Sequence, residues 1–325
     1  MLCARIDANP VRIDANPSTH EGKQSVKKPK DQLKQIENLV NPYRIRHGKD
    51  FSLSDVSPSD THDLGDEMVT DAKELLATGV EWLADLQGKL YADDRFGVLL
   101  IFQAMDAAGK DSTIKHVMSG VNPQGCVVHS FKQPSAEELD HDYMWRYAKC
   151  LPERGRIGIF NRSYYEEVLI VRVHNLVQNS KIPQSLISKN IWDERLEDIR
   201  SFERYLHRNG IIVLKFFLHV SKKEQKKRFM ARIDRPDKHW KFSNSDVAER
   251  QHWKEYMKAY EDAIQQTATK DSPWYVVPAD NKWFTRLVVS AAVVEALERL
   301  KLEYPTVNSD QMKELLAAKL TLDSE

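Results

Sequence analysis

Five consecutive apolar residues, Val98-Leu99-Leu100-Ile101-Phe102, narrow the choice of fold more than any other stretch of this chain. A strand with one wet face would alternate polar and apolar positions. A continuous run of strand length must instead be covered on both faces, which is the condition of a parallel sheet lined with helices. The run leads into Gln103-Ala104-Met105-Asp106-Ala107-Ala108-Gly109-Lys110-Asp111-Ser112-Thr113, and then into the helix-forming Ile114-Lys115-His116-Val117-Met118. Strand, small-residue loop and helix N-terminus in that order make a cradle for an anion. Small side chains let backbone N–H groups converge, and the helix end adds partial positive charge.

The same alternation continues along the chain. The spacing of Leu64, Met68, Leu75, Leu76, Val80, Leu83, Leu86 and Leu90 predicts a helix over 63–91. A strand is expected over 126–131 and a helix over 135–149, opened by Ser135 and Glu138 at capping-box spacing. Further strands are expected over 157–160, 211–220 and 274–277. Further helices are expected over 192–208, closed by Gly210, from Ser221 onward, and over 283–302. The fold class is therefore α/β, with right-handed crossovers and ligands held outside the carboxyl ends of the strands. Residues 1–40 read as a flexible tail, in which Arg5-Ile6-Asp7-Ala8-Asn9-Pro10 recurs over 12–17. Residues 41–302 form the folded domain, with a lid at about 221–243, and 303–325 form a C-terminal tail or short helix.

The loop matches the common phosphate-loop pattern at Gly109 and Lys110. It departs from it at Ala104, where glycine is usual, and at Asp111, where a hydroxyl residue is usual. Backbone amides at Ala107, Ala108, Gly109 and Asp111, the Lys110 ammonium, Ser112 and the nearby Lys115 are candidate phosphate contacts. The Asp106 carboxylate is placed to reach a magnesium ion. The strand over 157–160 runs into Asn161-Arg162-Ser163-Tyr164-Tyr165-Glu166-Glu167. Asn161 stands where a metal-binding aspartate is common, so metal ligation would lean on Asp106 with Glu166 or Glu167. Arg162 suits a forked contact to phosphate. Glu166 has a second reading, as a helix cap three residues after Ser163. Arg172 could serve phosphate or a surface ion pair.

Between 221 and 241 there are nine Lys or Arg residues and three acids, Glu224, Asp234 and Asp237. Arg228, Arg232 and Arg235 recur at i, i+4 and i+7, which places three guanidinium groups on one helical face, with Phe229 and Ile233 beside them as anchors. Such a face could close over a polyanion, with Trp240 and Phe242 holding the return. The chain as a whole carries no net charge, so any pull on anions comes from these local clusters rather than from a global field. Nucleic acid is not an expected partner, and no apolar stretch approaches membrane-spanning length. Three cysteines without a CxxC pair point to a reducing, cytoplasmic setting.

With these residues in view, the chain resembles the polyphosphate kinase 2 family. The likeness rests on the 103–111 loop, Gly120-Val121-Asn122-Pro123-Gln124-Gly125, the 160–166 stretch, Trp240-Lys241-Phe242, and Pro273-Trp274-Tyr275-Val276-Val277-Pro278-Ala279-Asp280. It spans about 40–302. The resemblance implies a P-loop kinase fold of the thymidylate-kinase-like type. It also implies Mg2+ dependence and phosphate transfer between inorganic polyphosphate and AMP or ADP, with adenine as the base and guanine as a second option, in a homo-oligomer of two or four chains. On that pattern Asp106, Lys110, Arg162 and Glu166 are the catalytic candidates and Arg228 and Arg232 belong to the lid. Two other readings fit the same residues: an ATP-dependent nucleoside-monophosphate kinase, and a protein that binds a polyanion without turning it over.

Overall fold

The structure is a computed structural model that describes residues 30–325 except 63, 66–68 and 242. The N-terminal repeat, Asp63, Met68 and Phe242 lie outside the described residues. Six strands form one sheet: β1 (Arg44–Ile45), β2 (Gly97–Gln103), β3 (Cys126–Ser130), β4 (Ile157–Asn161), β5 (Ile211–His219) and β6 (Trp274–Pro278). Their spatial order is β1-β6-β5-β2-β4-β3. Five strands are parallel, and β1 is antiparallel on the edge of β6. The helices up to the first half of the sheet are α1 (Lys30–Val40), α2 (Val69–Asp93), α3 (Lys110–Val117), α4 (Ala136–Leu139), α5 (Trp145–Ala148) and α6 (Ile170–Val173). Those that follow are α7 (Ile191–Arg208), α8 (Lys222–Ile233), α9 (Asn244–Glu249), α10 (Trp253–Thr267), α11 (Lys282–Glu298) and α12 (Ser309–Asp323).

β2 lies in the middle of the sheet and is buried at all seven positions, as the apolar run requires. α11 packs against α1, α2 and α3, while α7 and α10 pack on each other and α7 on β5. Each leucine or isoleucine that these helices bury, such as Leu83, Leu86, Leu196 and Ile199, contributes about 1.5–3 kcal/mol relative to exposure. Because β3 and β4 lie on one side of β2 and β5 and β6 on the other, the chain reverses its direction of travel across the sheet at β2. Crevices open at the carboxyl end of such a switch.

The observed elements depart from the sequence expectation in five places. The expected tail over 1–40 ends earlier, because Lys30–Val40 is helical and Val40 is fully buried against the core. The helix expected over 135–149 is two short pieces: Ser135 and Glu138 do form the capping box, but the helix ends at Leu139, the Asp142 side chain accepts from the Met144 amide in the turn that follows, and the second piece starts at Trp145. β1 and α10 were not anticipated. α8 ends at Ile233, so Arg235 lies beyond it, paired with Asp237, and Ile233 is exposed while Phe229 is buried.

A charged pair lies inside the protein on β5. Lys215 is fully buried and donates to Glu203 Oε2 at 2.6 Å and to the Thr267 carbonyl at 2.8 Å. Glu203 Oε1 accepts from the hydroxyls of Tyr164 at 3.0 Å and Tyr165 at 2.8 Å. Breaking such a pair by removing one partner typically costs about 3–5 kcal/mol. Its position matters here because Tyr164 and Tyr165 belong to the turn that leaves β4, so the network anchors that turn from behind.

Candidate active site

After β2 the chain turns through residues 104–109 and enters α3. Ala107 (φ 62°) and Gly109 (φ 113°) both adopt left-handed backbone. A side chain at Gly109 would find room, its nearest neighbours being 3.5 and 3.8 Å away, so it is the backbone angle that calls for glycine. The loop carbonyls are tied to α8. The Asp106 carbonyl accepts from Gln225 Nε2 at 2.8 Å, and those of Ala107 and Ala108 accept from Arg228 Nη1 at 3.1 and 2.6 Å. Beyond them lie the first amides of α3, which have no partner within the helix and are available to an anion.

Arg228 lines the cleft that opens above the loop, but its guanidinium is already engaged within the protein. Besides the two loop carbonyls, its Nε donates to Glu224 Oε1 at 2.9 Å and its Nη2 to the carbonyls of Ala279 at 2.6 Å and Asp280 at 2.9 Å. These are as many acceptors as a guanidinium has N–H groups. Arg228 is a buried strut that joins the phosphate loop, α8 and the turn after β6. Glu224, three residues after the helix cap Ser221, spends its carboxylate on this strut.

The remaining candidates converge on the carboxyl ends of β2 and β4. Lys110 is nearly buried and its Nζ donates to the Ala104 carbonyl at 2.8 Å. Burial pushes its ammonium below the ordinary lysine value, and Asp106 opposes that shift. Asp106 Oδ1 accepts from Arg162 Nη2 at 2.8 Å. Burial works against the Arg162 guanidinium, but Glu166 and Asp106 more than offset it and hold its pKa above the ordinary arginine value. Arg162 has a left-handed backbone (φ 67°), a conformation that costs a non-glycine residue energy and is kept here by the anchored turn behind it. Asn161 Nδ2 donates to Asp111 Oδ1 at 2.8 Å.

A cleft of about 810 Å³ opens above these residues. Asp106, Ala107, Gly109, Lys110, Asp111 and Ser112 face it from the loop side, and Asn161 and Arg162 from β4. Arg232, Arg235 and Lys238 face it from the lid side, and Lys282 from the start of α11. Lys282 and Lys238 were missed from sequence. Both belong to stretches with charge, but nothing in their spacing says that they turn toward β2. Asp246 on α9 was missed as well. Its carboxyl is pushed up by burial and by the neighbouring Asp106 charge, and it lies 3.9 Å from Arg232.

Four predicted residues do not join this cleft, the first being Ala108, which is buried. Lys115 is exposed on α3 and does not line it. Arg172 pairs with Asp262 at 2.7 Å, its alternative reading. Glu166 is neither a helix cap nor a lining residue: Ser163 Oγ accepts from the Tyr165 amide, while the Glu166 carboxylate takes Gln103 Nε2 at 2.9 Å and lies 3.7 Å from Arg162. The structure thus places the Glu166 carboxylate beside Arg162, as its counter-charge.

No group of three or more His, Cys, Asp or Glu side chains among the described residues is arranged to hold a metal by itself. That suits magnesium in a phosphate site, which keeps waters and substrate oxygens and takes only one or two protein carboxylates. The acidic groups on the cleft, Asp106 foremost, fit such an ion.

A model of the polyphosphate kinase 2 (PPK2) family matches residues 69–305. The chain belongs to this family. It is therefore a phosphotransferase, a polyphosphate-dependent nucleotide kinase. Among PPK2 relatives, the ADP-polyphosphate phosphotransferase of Rhodopseudomonas palustris is 57% identical over 251 residues, which cover 77% of this chain and 87% of that protein. The AMP/ADP-polyphosphate phosphotransferase of Meiothermus ruber is 44% identical over 268 residues, 82% of this chain and 96% of that protein. The crystal structure of polyphosphate kinase 2 from Arthrobacter aurescens TC1 superposes with a TM-score of 0.76 at 40% identity, covering 84% of this chain and 95% of that one.

Within this PPK2 frame the strut has a measurable consequence. Lysine at 228 has three donors in place of five, so Arg228→Lys leaves loop carbonyls unpaired. The expected result is a fall in kcat of about tenfold, roughly 1.4 kcal/mol, with a lowered Tm and little change in the KM for polyphosphate. A rise in KM at constant kcat would instead mean that Arg228 binds substrate.

Proposed function

We propose that this PPK2 enzyme transfers phosphate between inorganic polyphosphate and AMP or ADP, forming ADP or ATP, with Mg2+ as cofactor. One observation carries the reading. A single cleft is lined by Lys110 and Arg162 beside Asp106, and also by Arg232, Arg235, Lys238 and Lys282. A lone triphosphate needs fewer cations than this, whereas a long polyanion has charge for all of them.

In such a reaction a terminal nucleotide phosphate oxygen attacks the end phosphoryl of the polymer in line, and charge spreads over the equatorial oxygens. Lys110 and the α3 amides neutralise the loop-side phosphates, and Arg162 is aimed from β4 by its pairs with Asp106 and Glu166. Arg232 and Lys282 hold the distal chain. Asp106 would hold the magnesium ion, which would supply positive charge to offset the charge developing on the transferred phosphoryl group.

The decisive assay offers AMP or ADP separately, with polyphosphate as the sole donor. ADP or ATP formation supports the proposal, and a requirement for a nucleoside triphosphate donor would move the chain to the ATP-dependent reading. Binding of polyphosphate that weakens with salt, without turnover, would move it to the non-catalytic one. Running the acceptors separately also decides between mono- and diphosphate, on which the names of the two relatives differ.

Cytoplasmic location and assembly into a dimer or tetramer complete the reading. No helix among the described residues is long and apolar enough to cross a membrane. α12 exposes Met312, Leu315, Leu316, Leu320 and Leu322, which offers apolar surface for assembly.

A further inference from the structure

The two departures from the common phosphate-loop pattern touch each other. In phosphate-loop enzymes generally, a hydroxyl at the start of the loop helix and a carboxylate at the end of the neighbouring strand face the metal together. Here the helix position carries the carboxylate, Asp111, and the strand end carries the hydrogen-bond donor, Asn161. β2 and β4 are adjacent and parallel with Phe102 opposite Asn161, so Asn161 occupies the neighbouring-strand position. Its Nδ2 donates to Asp111 Oδ1 at 2.8 Å across a separation of 50 residues.

We propose that donor and carboxylate have exchanged places in this chain. Asp111 presents a metal-facing carboxylate beside Asp106, and Asn161 is the positioning residue that orients it. Both line the cleft, and the other Asp111 oxygen has no hydrogen-bond partner among the described residues. A carboxylate inside a phosphate cradle repels the substrate unless a cation lies between them, so Asp111 belongs with the cation rather than with the phosphates. An acid in the first turn also favours a helix through its dipole, but that role needs neither Asn161 nor a metal.

The inference rests on the proposed magnesium dependence, and its test reads metal binding as well as rate. Mn2+ binding would be measured by electron paramagnetic resonance on the full chain with ADP present, alongside the Mg2+ concentration that gives half-maximal rate. Asp111→Asn and Asn161→Ala are each expected to weaken metal binding about tenfold, in the range found when partners that orient metal ligands are removed. The exchanged pair Asp111→Ser with Asn161→Asp, which restores the common arrangement, is expected to recover binding to within about threefold of the natural enzyme. Unchanged metal binding in Asp111→Asn, or a double variant no better than the single ones, would overturn the proposal while leaving the reaction itself intact. A natural enzyme that runs at full rate without divalent metal would remove the magnesium reading and this inference with it.

Discussion

Lys110→Ala is expected to lower polyphosphate-driven ATP formation by at least about 10²-fold, a loss of roughly 2.7 kcal/mol of transition-state stabilisation. The reason lies in burial as much as in charge. Lys110 is nearly enclosed, and its Nζ already rests against the Ala104 carbonyl, so the ammonium is held in place at the loop before any substrate arrives. Alanine leaves that carbonyl unpaired and takes away the full positive charge of the loop. Rates near those of the natural enzyme would refute the assignment. A second readout follows from the direction of the pKa shift. Burial lowers the folded-state value of Lys110, so its charge is lost at a lower pH than that of an ordinary lysine at 10.5. In the profile of kcat/KM, which reports the free enzyme, the alkaline limb assigned to this residue should fall below pH 10.5.

Asp106→Ala should cost at least about as much, again 10²-fold, but for a different reason. Its carboxylate performs two tasks. It accepts from Arg162 at 2.8 Å, and it is the acid of the loop itself facing the cleft where magnesium would bind. Alanine removes both, leaving Arg162, already strained at its backbone, with Glu166 alone as counter-charge. Asp106→Asn separates them, because the amide oxygen still accepts from Arg162 while the negative charge is gone. If Asp106→Asn is as slow as Asp106→Ala, the charge is what the reaction uses. If Asp106→Asn runs like the natural enzyme, aiming Arg162 is the whole of the residue's role.

Much of the fold was legible because the apolar pattern is strong where burial is complete. β2, β4, β5 and β6 coincide with short apolar runs, and the loop between β2 and α3 follows from small residues and a glycine. The misses have physical causes. β1 is a two-residue edge bridge that owes its place to β6 and to the buried pair Arg44–Glu295, so no local pattern announces it. α10 does carry a helical stripe, Tyr256, Ala259, Tyr260, Ala263 and Ile264, but aromatics and alanines make a weaker signal than leucines. Between α4 and α5 the Asp142 side chain accepts from the Met144 amide and holds a turn there, an option that a periodic pattern does not rank.

By itself, the sequence determined that this chain has a buried parallel strand running into an anion cradle, and that arginines and lysines are concentrated after β5. Burial and local backbone geometry depend on near neighbours, so these features are written in consecutive residues. What each charged side chain does was decided by the tertiary structure. An arginine donates equally well to a phosphate or to a carbonyl, and only packing reveals that Arg228, which lines the cleft together with Arg232, is spent on four carbonyls and Glu224. Likewise, Asp111 and Asn161 become a pair because adjacent parallel strands bring together residues 50 apart in the chain, whereas Glu166, four residues beyond Arg162, becomes its counter-charge through the shape of the turn after β4.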